Sequence, residues 1–167
     1  MSTETIFNIH LVLGYLAWIL LFGVYLMPRL KQMAQLDALR AIATLHSFRF
    51  FGLAFIVPGV VGANLPTEFA TYAAYGDFAT GVLALLALLT FRVRAVFVSL
   101  VVAFNVVGIL DLVIDYWHAV QADLPKIAGE MGALYVIPII YVPALMITHV
   151  LAFYLLAKPR SVRLVTA

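Results

Sequence analysis

The 167-residue chain contains no cysteine. Without a thiol, disulfide exchange with a quinone, cysteine-held iron-sulfur clusters and thiolate-ligated haem are all excluded. Charge is almost as scarce, at 11% of residues, where soluble domains carry roughly a quarter. The three lysines, Lys31, Lys126 and Lys158, all fall in polar connections, so no span offers an amine for a retinal Schiff base. A phosphate-cradling P-loop and a dinucleotide glycine fingerprint are both missing, and the net charge of +2 comes from scattered loop residues that form no nucleic-acid patch. Four histidines are too few for the histidine-rich di-iron sites of membrane desaturases.

What is present is apolar: 65% hydrophobic residues and a mean hydropathy of +1.10. A bilayer core about 30 Å thick takes ~20 apolar residues per helix. Apolar runs at 6–27, 41–63, 69–91, 95–117 and 131–157 predict an all-α integral membrane protein, a five-transmembrane-helix bundle making one transmembrane domain over 1–167. The stretch Pro28 to Arg40, with Met33, Leu36 and Leu39 at roughly helical spacing, predicts a short interfacial helix running into the second span. Arg29, Lys31, Arg40, Arg92, Arg94, Lys158, Arg160 and Arg163 share one side in this count. The opposite loops hold Lys126 beside Glu4, Glu68, Asp123 and Glu130. The positive-inside rule then predicts an outer N-terminus and a cytoplasmic C-terminus, in a bacterial cytoplasmic membrane. No basic residue precedes the first span and no small-residue cleavage site follows it, so that span is expected to be retained.

Ionisable residues inside spans are the informative ones, because each costs at least ~2.5 kcal/mol to place there. Arg49 and His149 fall about 12 Å from the cytoplasmic face, His46 about 8 Å, and Asp77 about 12 Å from the outer face. On the third span a helical period puts Ala70, Ala73, Asp77, Thr80, Gly81 and Ala84 on one small-residue face, which admits a close neighbour. Asp77 is therefore expected inside the bundle, paired with Arg49 at a depth within about 6 Å of its own. Such a pair serves helix packing or binds an anionic ligand. Asp111, Asp115 and His118, spaced i, i+4, i+7 on the fourth span, share a face toward the outer mouth. With His10 they form a second, weaker candidate site, for a divalent cation or a proton relay. Asn105 points away from Asp111 and is expected to bridge helices. Pro138 and Pro143 predict a kinked last span whose freed carbonyls line a cavity or meet a neighbouring side chain.

The histidines split by depth into an inner pair, His46 with His149, and an outer pair, His10 with His118. Two-haem membrane cytochromes use such pairs, one imidazole on each side of the macrocycle. A b-type haem is accordingly expected between His46 and His149, with Arg49 near a propionate. The first span, with His10, Trp18 and then Pro28-Arg29-Leu30, together with Lys158-Pro159 after the last span, resembles the opening and ending of the HemJ-type protoporphyrinogen oxidases. The resemblance covers under a third of the chain and implies haem ligation at His10. Three functions follow. The first is a haem-binding redox protein. The second is a proton- or ion-coupled site for a small solute at Arg49, Asp77 and Asp111. The third is an accessory subunit in the lipid bilayer, beside a membrane-protein partner or a second copy.

Overall fold

The computed structural model describes residues 1–157; Lys158, Pro159, Arg160 and Arg163, used in the charge count and the closing motif, lie outside the described residues. The described chain is helical throughout its regular elements, and five helices are long and apolar enough to cross a membrane. These are α1 (Thr3–Gln32), α2 (Gln35–Ile56), α3 (Thr67–Leu89), α4 (Arg94–Gln121) and α5 (Ile137–Ala157). Helices are the natural outcome for such a sequence, since lipid offers no partner for a free amide or carbonyl.

The boundaries follow the prolines and glycines. Pro28 to Gln32 continues α1, the chain extends at Met33 and Ala34, and Gln35 already opens α2. The stretch from Pro28 to Arg40 is thus divided between two spans and does not form one interfacial helix. A π-turn at Phe22–Leu26, closed by Met27 N–H on the Phe22 carbonyl, precedes Pro28, which has no amide to donate. In α2 the α-helix ends at Ser47 and a tighter 3-10 helix runs over Phe48–Ile56. It stops before Pro58 and the left-handed Gly59 (φ 81°), short of the expected end at 63. The run expected at 131–157 is also broken. A 3-10 segment, Ala128–Tyr135, turns at Gly132 (φ 54°) before α5 begins, because only glycine adopts that backbone readily.

The start of α5 is a π-helical stretch, Ile137–Tyr141. Pro143 cannot donate to the Ile139 carbonyl one turn before it, and α1 closes on this place. Gly14 is buried directly against the Ile139 carbonyl, where a Cβ would overlap the oxygen. One turn on, the Trp18 indole donates to the Ile140 carbonyl at 2.7 Å. The freed backbone thus meets a neighbouring helix, and α1 otherwise presents Val12, Leu16, Ile19 and Val24 outward, as a lipid-facing helix should.

Two apolar clusters fill the bundle. One, around Phe55, Phe69, Met131 and Ile137, occupies the end that carries Asp123 and Lys126. The other, around Leu39, Phe97, Val101 and Phe104, occupies the end that carries Arg40 and Arg92. The small face of α3 is buried from Ala70 to Ala84, and it seats the 3-10 half of α2 so closely that a Cβ on Gly81 would lie 2.8 Å from the Phe50 amide. Between the two clusters lies a layer of polar side chains.

Replacing Gly14 with Val should destabilise the fold by about 1–3 kcal/mol through overpacking on the Ile139 carbonyl. Gly23, with nothing within 4 Å of an added Cβ, should accept Ala within about 0.5 kcal/mol. Thermal unfolding in detergent compares the two, and equal losses would refute the close approach.

Candidate functional site

The 3-10 winding of α2 decides which side chains face inward. With three residues per turn, i and i+3 eclipse, and the buried residues of this segment are Arg49, Gly52 and Phe55. Arg49 therefore points into the bundle directly above Gly52, whose missing side chain leaves room for Asp77. Two more glycines repeat the device: Gly76 makes room for Asp111, and Gly108 for the Arg49 guanidinium and the His149 ring. A charged cluster is packed at the centre in spaces left by glycines on three helices.

Arg49 is 0% exposed, and Asp77 and Asp111 are 4% and 8% exposed. Arg49 Nε donates to Asp77 Oδ1 at 2.5 Å, and Nη2 donates to Asp111 Oδ2. The third nitrogen, Nη1, lies 3.3 Å from the Gly108 carbonyl and 3.2 Å from His149 Nε2. A guanidinium only donates, so His149 Nε2 must be the bare acceptor nitrogen and Nδ1 must carry the proton. That proton goes to Asn105 Oδ1 at 2.9 Å, while the Asn105 amide donates to the Val101 carbonyl at 2.7 Å. The amide's orientation and the imidazole's tautomer thus fix each other, and Asn105 bridges α4 to α5. One guanidinium faces two carboxyl groups, so the cluster is neutral only if it also holds a proton or a second cation, in a layer from which water is largely excluded.

His46 belongs to the same layer. Thr148 Oγ1 spends its hydrogen on the Ala144 or Leu145 carbonyl, so it accepts from His46 Nε2 at 3.0 Å, and His46 Nδ1 is left buried without a partner. The rings of His46 and His149 pack against each other with centroids 4.1 Å apart, and Phe104 closes on His46 at 5.3 Å. A haem needs its two axial imidazoles on opposite faces of a flat slot. Here the rings occupy that slot themselves, and His149 spends both nitrogens on Arg49 and Asn105. The inner pair is brought together, but as packed it does not fit a haem. Arg49, expected at a propionate, is bound by protein carboxylates instead.

The outer residues are dispersed. His10 Nδ1 meets the Tyr135 hydroxyl at 2.9 Å; partial burial raises the Tyr135 phenol above its ordinary range, which keeps it a hydroxyl. His118 stacks on Tyr72 with centroids 4.5 Å apart. Asp111 turns inward to Arg49, away from both. Among the described residues no three His, Asp or Glu side chains converge on a point where a metal ion would fit. Asp111, Asp115 and His118 share a helix face, but Asp111 meets Arg49, His118 meets Tyr72, and Asp115 Oδ1 meets no hydrogen-bond partner.

A cavity of about 320 Å³ lies between α1, α3, α4 and the start of α5. Phe7, Phe55, Phe69, Leu112 and Ile137 form much of its wall, Asp77 and Asp115 reach it at depth, and Asp123 lies where α4 ends. Tyr116 also lines it, and its hydroxyl meets that of Tyr15 at 2.7 Å, joining α4 to α1. Asp115 Oδ1 is buried without a hydrogen-bond partner. Asp77 thus has two sides, one on Arg49 and one on the cavity. Reading the sequence did not reveal the cavity or the glycine spaces, although Gly76, immediately before Asp77, and Gly108, three residues before Asp111, were a usable signal for the latter.

Breaking the cluster should be costly and non-additive. Arg49→Gln should cost about 3–5 kcal/mol because it strands two buried carboxylates. Arg49→Gln combined with Asp77→Asn should cost less than the sum of the singles, by about 0.5–3 kcal/mol. Denaturation in mixed micelles measures this, and additive losses would show that the contacts are not energetically linked.

No curated protein and no solved structure matches the chain. Its residues 6–157 match the model of one protein family, described as a domain of unknown function, DUF8737. The matched stretch holds four of the five helices entirely and α1 from its fourth residue onward, and the chain belongs to that family.

Proposed function

We propose that this protein binds a small solute in the cavity beside Asp77 and couples that binding to a proton or small cation held by Arg49, Asp77 and Asp111. The observation that carries the reading is the double contact of Asp77, paired to Arg49 on one side and lining the cavity on the other. A charged solute that touches Asp77 changes the charge balance of a cluster that is neutral only with a bound proton or a second cation. In a low-dielectric layer such an imbalance is answered by uptake or release of a compensating cation. Coupling is thus built into the electrostatics.

The positive-inside count supports placing the Asp123 and Lys126 end outside and the Arg40 and Arg92 end in the cytoplasm. The cavity then faces the outer side of what we take to be a bacterial cytoplasmic membrane. The packed imidazoles favour this reading over a haem-based redox function.

Vesicles containing the protein and an internal pH dye, exposed in turn to cationic, neutral and anionic solutes, test the coupling. At least one class should move the internal pH with the natural protein and fail to do so with Asp111→Asn. If no class moves it, or if Asp111→Asn responds equally, the coupling is refuted.

A further inference from the structure

We infer that the cavity is built for an amphiphilic organic cation, with an apolar body about the size of a substituted benzene ring and one ammonium head. The inference rests on the solute-binding reading above and names the chemical class of the solute.

Charge complementarity selects the head. Among the described residues the carboxyl side chains lining the cavity are Asp77, Asp115 and Asp123, and no Lys, Arg or His lines it; the exposed Asp123 is already paired with Lys126 at 2.5 Å, which leaves Asp77 and Asp115 for a head group. Arg49 stands behind Asp77, spent on two carboxylates and a carbonyl. An anionic head would face like charge. A neutral hydroxyl head offers one donor to a pair of carboxylates. An ammonium offers three donors, enough for the buried, unpartnered Asp115 Oδ1 and for Asp77, and it can serve as the second cation that neutralises the cluster when both of its carboxyls are ionised. A bare metal ion is disfavoured because no three ligating side chains converge among the described residues.

The wall selects the body. Phe7, Phe55 and Phe69 supply aromatic surface, and Leu112, Leu124 and Ile137 supply aliphatic surface. A volume of about 320 Å³ lies at the lower end of small-molecule sites, which run from about 300 to 1,000 Å³. A compact aromatic amine fills such a space with its ring among the phenylalanines and its head on the carboxylates.

Three probes that share a body and differ in the head test this: 2-phenylethylamine, 2-phenylethanol and phenylacetate, titrated calorimetrically into the protein in lipid nanodiscs. The amine should bind at least tenfold more tightly than the alcohol, and phenylacetate should bind weakest. Asp115→Asn should bring the amine to within threefold of the alcohol, whereas Asp115→Glu, which keeps the charge, should preserve the preference. Ala119→Phe, which fills the cavity from α4, should weaken all three probes. An alcohol or carboxylate that binds as tightly as the amine, or an amine preference that survives Asp115→Asn, overturns the ammonium assignment while leaving cavity binding intact. Binding that Ala119→Phe leaves unchanged overturns the solute-binding reading itself, and the absence of binding by every probe overturns both.

Discussion

A guanidinium with no exposed surface, set in the middle of a membrane bundle, is the constraint around which the rest is arranged. Arg49 cannot be deprotonated, so its charge must be answered by protein. Asp77 and Asp111 do this from two neighbouring helices, and His149 and the Gly108 carbonyl take the remaining edge. Each partner is held in turn: Asn105 orients His149, and glycines on α2, α3 and α4 leave the space that the cluster fills. Because buried ion pairs recover their desolvation cost only with good geometry, the irregularities of the fold converge on providing it.

Those irregularities have separate sources and one effect. A regular α-helix would rotate by about 100° per residue and spread Arg49, Gly52 and Phe55 around α2. The 3-10 winding aligns them. On the other side of the bundle, Pro143 opens the backbone of α5, and α1 closes that opening with Gly14 and Trp18. α1 is thus tied to the bundle at this opening, and also through side-chain contacts of His10 with Tyr135 and of Tyr15 with Tyr116.

The spans were legible because long apolar runs have few alternatives in a chain this poor in charge. The nearness of Arg49 to Asp77 was legible too, since depth along a helix follows from counting residues. Depth says nothing of lateral distance, and there the reading of residues alone ran out. His46 and His149 lie at similar depth, yet ring contact and a haem-width gap give the same count. Asp111 shares a helix face with Asp115 and His118, but which neighbour each meets depends on how α3 and α2 pack against α4. The early end of α2 and the break at Gly132 depend on single residues, Pro58 with Gly59 and Gly132, embedded in runs whose average is apolar. Hydropathy averages over such points.

The cluster of Phe97, Val101 and Phe104, each fully buried, lies between the charged layer and the end carrying Arg40 and Arg92. It bears on throughput. A charge leaving the layer in that direction meets these three fully buried apolar side chains, and moving an ion among such side chains costs several kcal/mol even after relaxation. On that side, in this conformation, Phe97, Val101 and Phe104 stand closed, with no exposed surface. Anything that crosses must wait for the rings to part, and parting them means moving helices, on the microsecond-to-millisecond scale. Under the proposed coupling, each transfer would wait for one such rearrangement.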